Sequence, residues 1–173
     1  MRNIEFKAEL RDGALARTIL RAIQAAYILT FGQTDTYYRV TSGRLKRRET
    51  DDEPAEWISY DRANVAGPRA SEFTILTDEQ ALERYGREAL PVWVVVRKRR
   101  EVWMLGGVRV HLDEVDGLGS FLELEALVTR DHTEARARAA VEELRRQLGP
   151  ALGELIDRSY SDMAADERER AAR

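Results

Sequence analysis

There is no cysteine among the 173 residues, so disulfides and thiolate metal sites are both excluded. No apolar run approaches the length needed to cross a bilayer, and the opening MRNIEFKAEL lacks the apolar core of a secretory leader. The default expectation is a cytoplasmic protein with no membrane partner. Internal repeats, low-complexity tracts and linker-like stretches are missing too. So is an excess of positive charge: 28 lysines and arginines face 31 acids, for a net charge of −3. Non-specific nucleic-acid binders usually carry a basic surplus, so nucleic acid is not an expected partner. A chain of this length suits one domain with a core of useful size, here residues 1–160. The charged remainder, 161–173, holds too little apolar matter to pack and is expected to fray.

What the sequence has is local clustering of charge. Basic residues gather in GRLKRRE and VRKRRE, acids in HLDEVDG and ELE. The segments around them read as alternating strands with few helices. NIEFKAEL puts Ile4, Phe6, Ala8 and Leu10 on one face and Asn3, Glu5, Lys7 and Glu9 on the other. Asp12 caps a predicted helix with an apolar stripe of Leu15, Ile19, Ala22, Ile23 and Ala26. QTDTYYRV and GRLKRRE form a strand pair about Ser42-Gly43, and EWISYDRA and ASEFTIL a second pair about NVAGPR. Asp78 caps a short helix running to about Glu88. VWVVVRKRREVWML is a long strand that turns at Gly106-Gly107 into VRVHLDEV, and DGLG leads on to SFLELEALV. Asp131 opens a long helix with Ala135, Ala139, Val141, Leu144 and Leu148 on its apolar side, ended by Gly149-Pro150. The class is α+β, with a mostly antiparallel sheet of about eight strands, a number that tends to curl or close.

The polar faces of these strands share a habit. GRLKRRE carries Arg44, Lys46 and Arg48 on one parity, VRVHLDEV carries Arg109, His111 and Asp113, and SFLELEALV carries Glu123 and Glu125. Lys98 and Arg100 share a face of the long strand, although Arg97 and Arg99 blur the alternation there. For one strand alone a solvated outer face is the ordinary explanation. Three cations at successive same-side positions repel one another, and a bound polyanion turns that repulsion into binding. Glu5, Glu123, Glu125 and Asp113 then offer hard oxygen ligands for Mg²⁺ or Mn²⁺ bridging to phosphate.

NIEFK resembles the Glu-x-Glu-x-Lys signature of the CYTH superfamily, the triphosphate tunnel metalloenzymes. The resemblance continues through QTDTYYRV, GRLKRRE, ISYDR, VRKRREVW and VRVHLDEVDGLGSFLELE, up to about Val128. The last of these motifs is similar to the class IV adenylate cyclase branch. The resemblance implies an eight-stranded antiparallel β-barrel, closed or nearly closed, with flanking helices. Its interior would bind a nucleoside triphosphate or another triphosphate with a divalent metal. It implies phosphate contacts from Lys7, Arg44, Lys46, Arg62, Lys98, Arg100 and Arg109, metal ligation by Glu5, Glu123 and Glu125, and catalytic roles for Lys7, Arg62 and Asp113. The activity implied is conversion of ATP to cyclic AMP and pyrophosphate. Hydrolysis of inorganic or thiamine triphosphate, or binding of polyphosphate or nucleotide without turnover, stands as the alternative. A homodimer is compatible with all of these. One departure from the signature is Asn3, where the family carries its first glutamate: a neutral amide is a weaker metal ligand than a carboxylate.

Other residues carry blander expectations. His111 is read as a hydrogen-bonded structural histidine, Tyr37 and Tyr38 as packing residues, and Asp35 as a turn or strand-start residue. Gly117 and Gly119 are structural, because DGLG is too short and wrongly placed for a phosphate-cradling loop. Trp57, Trp93 and Trp103 belong to the core or its rim.

Overall fold

The computed structural model describes residues 1–62, 64–86 and 90–172. The alternation in NIEFKAEL sets the architecture. In β1 (Arg2–Leu10), Ile4, Phe6 and Ala8 are fully buried on the outer face, while Asn3, Glu5 and Lys7 point to the other side. The strands that follow repeat this arrangement: β2 (Ala26–Tyr38), β3 (Arg44–Thr50), β4 (Glu56–Arg62), β5 (Arg69–Leu76), β6 (Val92–Leu105), β7 (Val108–Val115) and β8 (Gly119–Leu127). All their pairings are antiparallel, in the order β5-β4-β3-β2-β6-β7-β8-β1, and a further β5–β1 pairing closes the ring. The expected eight-stranded barrel is therefore closed. Its buried charged side chains lie inside, and most of its buried apolar side chains lie outside.

The main hydrophobic core consequently lies outside the barrel wall. Phe6, Val108, Val110, Leu122 and Leu124 pack beneath α1 (Gly13–Ala22) and α3 (Glu134–Leu148), which contribute Ala16, Leu20, Ala137, Val141, Leu144 and Leu148. Asp12 caps α1 as expected, with its carboxylate accepting from the Leu15 N–H at 2.9 Å. The helix ends earlier than predicted. Gln24 sits at φ 60°, and Ala26 belongs to β2, which runs 13 residues. The β-branched and aromatic YILTF segment pairs with the far end of the 14-residue β6 instead of extending the helix. In α2 (Asp78–Tyr85) the cap is Thr77 in a capping box with Gln80, and the Asp78 carboxylate accepts from the Trp57 indole at 2.7 Å. The predicted end at Glu88 lies outside the described residues. In α3 the cap is Thr133 rather than Asp131.

Two elements at the C-terminus differ from expectation. A short strand, β9 (Leu152–Leu155), pairs with the C-terminal half of β1, which β5 does not reach. Where a frayed tail was expected, residues Tyr160–Ala171 form α4, closed by a capping box between Ser159 and Asp162. Tyr160 is buried in a second core with Tyr37, Val94, Val96, Val115 and Phe121, so the tail's first turn packs although its end is charged. Among the described residues, no helix is long and apolar enough to cross a membrane.

Candidate functional site

The barrel encloses a cavity of about 270 Å³. Its lining follows from strand parity. Glu5 and Lys7 come from β1, Asp35 and Tyr37 from β2, Lys46 and Arg48 from β3, Lys98 and Arg100 from β6, Arg109 from β7, and Glu123 and Glu125 from β8. The ambiguity along VRKRRE is resolved: Lys98 and Arg100 are buried inside, and Arg97 and Arg99 face solvent.

One wall is organised about Asp35, which is 1% exposed. Its carboxylate accepts from both sides of the Arg48 guanidinium at 2.8 and 2.9 Å, from Lys98 Nζ at 2.8 Å and from Lys46 Nζ at 3.1 Å. Burial opposes ionisation of Asp35, but Arg48, Lys46 and Lys98 prevail and hold its carboxyl well below the usual range. The lysines show the opposite balance. Burial, then the neighbouring Arg48, brings Lys46 down to about 7 despite Asp35. Burial is again the main cause for Lys98, which falls to about 8 with Asp35 opposing and Arg48 adding repulsion. Three cations against one carboxylate leave this wall with positive charge in excess.

The facing wall carries the carboxylates, each with a cation beside it. In register across β1, β8 and β7, Glu5 stands opposite Glu125, Lys7 opposite Glu123, Arg109 opposite Glu125 and His111 opposite Glu123. Lys7 Nζ lies 2.9 Å from Glu123 Oε1, and Arg100 donates to Glu123 Oε2 at 2.5 Å and to both oxygens of Asp113 at 2.6 and 2.7 Å. Burial raises the Glu123 carboxyl, yet Lys7 and Arg100 outweigh it and keep the group well below its ordinary range. Glu5 Oε1 accepts from Arg69 at 3.0 Å, a buried arginine on β5 that the sequence did not single out. Glu123 and Glu125 stand together with His111: one ligand atom from each lies within 4.8 Å of the others.

The two ends of the cavity differ. At one, the Tyr160 hydroxyl donates to Asp113 Oδ2 at 2.8 Å while Lys7 Nζ stands 3.5 Å from the centre of its ring. Burial and then the Asp113 carboxylate push the Tyr160 phenol well above its usual range, so it stays protonated and donates. At the other end Met1, Ile75 and Arg109 are exposed and mark the mouth. There Ile58, Phe73, Ile75 and Leu127 form an apolar border to the ionic chamber.

Of the residues predicted for the site, Glu5, Lys7, Lys46, Lys98, Arg100, Arg109, Glu123 and Glu125 all line this one cavity. Arg44 stands apart: it donates to Asn64 at 2.9 Å, approaches Asp162 of α4 at 3.5 Å, and borders a second cavity of about 260 Å³ with Tyr38 and Trp93. Asp113 is buried behind Arg100 and Tyr160 and does not line the cavity. Arg62 ends β4, and its side chain lies outside the described residues. Asp35, read only as a turn or strand-start residue, and Arg69 and Tyr160 are residues whose part in the site sequence reasoning missed. The acid of TDT has no spacing partner along the chain, and its cations lie 11, 13 and 63 positions away. For α4 a signal existed: Ser159 and Asp162 stand three apart, as a capping box requires.

The CYTH domain family model matches residues 1–160. No curated protein matches the sequence. Solved structures align over nearly the whole chain. A Pyrococcus horikoshii protein shares 21% identity at a TM-score of 0.70, covering 92% of this chain and 98% of its own. An adenylate cyclase candidate from Vibrio parahaemolyticus also shares 21%, at a TM-score of 0.68, with coverage of 93% and 96%. An adenylyl cyclase candidate from Hippeastrum, reported to have a dominant triphosphatase activity, shares 15% at a TM-score of 0.61, with 96% of each chain covered.

Proposed function

Because the chain belongs to the CYTH domain family, we propose that its barrel is a triphosphate tunnel and that the protein is a metal-dependent enzyme acting on a nucleoside triphosphate, in the manner of a class IV adenylate cyclase. The observation that carries this reading is one chamber with an excess of cations about Asp35 on one wall, the paired carboxylates Glu5, Glu123 and Glu125 on the other, and apolar side chains bordering its mouth. Lys46, Arg48 and Lys98 exceed their shared carboxylate in charge and would take the β and γ phosphates. Ile58, Phe73, Ile75 and Leu127 at the mouth give an organic group a surface that an inorganic polyphosphate would not use. A divalent ion on Glu123 and Glu125, with Glu5 opposite, would polarise a phosphoryl oxygen and acidify the attacking hydroxyl.

The chain's own residues do the rest by preorganisation. Lys7 and Arg100 fix Glu123 from two sides, and Asp113 with Tyr160 fixes Arg100 and the closed end. Asp113 thus acts through Arg100 as a positioning residue. Cations already in place stabilise charge on departing pyrophosphate without reorganising during the reaction. The 3′-oxygen attacks the α-phosphorus, giving cyclic AMP, pyrophosphate and a proton. A second reading, hydrolysis of the terminal phosphate, is supported by the likeness to the Hippeastrum protein with its dominant triphosphatase activity. The two differ in which phosphorus stands in line with the nucleophile. Incubation of ATP, tripolyphosphate and thiamine triphosphate with Mg²⁺ or Mn²⁺, with products identified, decides between them. Cyclic AMP with stoichiometric pyrophosphate supports the cyclase, orthophosphate the hydrolase, and tight binding with no product under any metal overturns both.

A further inference from the structure

The carboxylate-bearing wall holds an atom that the phosphate reading leaves unexplained. His111 is 4% exposed, and its Nδ1 has no hydrogen-bond partner. A buried ring nitrogen without a partner costs free energy, so its surroundings need to supply one. Glu123 Oε2 lies 3.9 Å from it and Glu125 Oε1 4.0 Å, too far for hydrogen bonds. They are also close enough to share an ion. Metal bonds of about 2.1 Å from nitrogen and from oxygen span up to about 4.2 Å between the two ligand atoms.

We propose that His111, Glu123 and Glu125 form a mixed imidazole–carboxylate site for a divalent transition ion such as Mn²⁺, favoured there over Mg²⁺. The three ligands sit on paired strands, His111 directly opposite Glu123 and Arg109 opposite Glu125, so their spacing is fixed by the ladder rather than by a loop. Lys7 and Arg100 occupy one lone pair on each Glu123 oxygen and leave the others for an ion. Glu5, held by Arg69 across the wall, stands opposite Glu125 and would complete the shell from outside this cluster. An all-oxygen site suits Mg²⁺, and an imidazole nitrogen moves the preference toward softer ions. Binding of the ion does not depend on the triphosphate reading; only its role in turnover rests on it.

The test uses the full chain and Mn²⁺ alone, with no triphosphate present. Electron paramagnetic resonance of the wild type is expected to show loss of the free Mn²⁺ signal on binding, with pulsed spectra carrying ¹⁴N modulation from one imidazole. His111→Gln should remove the modulation, weaken Mn²⁺ by about tenfold or more and leave Mg²⁺ affinity within about twofold. Mn²⁺ bound without ¹⁴N modulation in the wild type overturns the proposal, because an imidazolium paired with the two glutamates, or a carboxylate-only site, would give that result. Failure of Mn²⁺ to bind at all overturns it too. A parallel thermal shift with tripolyphosphate separates that failure from a failure of the tunnel to hold phosphate.

Discussion

Asp35 is the residue on which the cationic wall depends. It faces Lys46, Arg48 and Lys98 from inside the wall and is almost fully enclosed. Removing one partner of a buried ion pair strands the other charges, so Asp35→Asn should lower unfolding stability by about 3–5 kcal/mol in urea titration. Tripolyphosphate should recover more stability in that variant than in the wild type, since it supplies the missing negative charge. A variant within about 1 kcal/mol of wild type, with no extra response to tripolyphosphate, would contradict this role. The lysines give a pH signature. Lys46 lies at about 7 and Lys98 at about 8, against an ordinary 10.5. As pH rises through that range they lose charge, and metal-free tripolyphosphate should bind progressively more weakly. Stability of the unliganded protein moves the other way: the unfolded chain holds more protons between these values and 10.5, so folding gains as pH rises across that window. The groups facing Lys46 are Asp35, Arg48 and Lys98, with the Tyr37 and Tyr60 rings 5.6 and 5.8 Å away. Lys46→Arg keeps its charge and should flatten the binding profile measured by calorimetry. An unchanged profile would remove Lys46 from the phosphate site.

Elements were legible where alternation was strong. The inward parity of β1 could be read directly, because Ile4, Phe6 and Ala8 are buried on one face and Asn3, Glu5 and Lys7 line the cavity on the other; β3, where Arg47 and Glu49 share the outer face with Leu45, gave Lys46 and Arg48 but misplaced Arg44. The limits of β2 were not, since YILTF matches helix and strand patterns alike until β6 is present to pair with it. Helix α4 was obscured by its charged end, although Tyr160 at its start closes the barrel. Tyr160→Ala removes the ring packed 5.1 Å from Phe121, its hydroxyl bond to Asp113 and its contact with Lys7, and should cost about 3–5 kcal/mol. Tyr160→Phe keeps the packing and should cost about 1 kcal/mol. Chemical denaturation of both variants checks the order; a Tyr160→Ala midpoint equal to wild type would show that α4 does not seal this end.

At the scale of the whole molecule, the near-balance of 28 basic and 31 acidic residues conceals an unusual placement. The barrel gathers its buried charges inside, and its main apolar core packs outside the wall beneath α1 and α3. Local periodicity announced the strands and which side of each was polar. It could not announce that Asp35 meets Lys98 or that Tyr160 meets Asp113, because those pairs form only when the ring closes. The central claim is that cations from separate strands meet in one chamber to hold a triphosphate. Calorimetric titration of tripolyphosphate into wild type and into the Lys46→Ala/Lys98→Ala double variant tests it most directly. One molecule should bind per wild-type chain, and the double variant should lose at least about a hundredfold in affinity while remaining folded. Wild type that fails to bind, or a double variant that binds as tightly, would contradict the account.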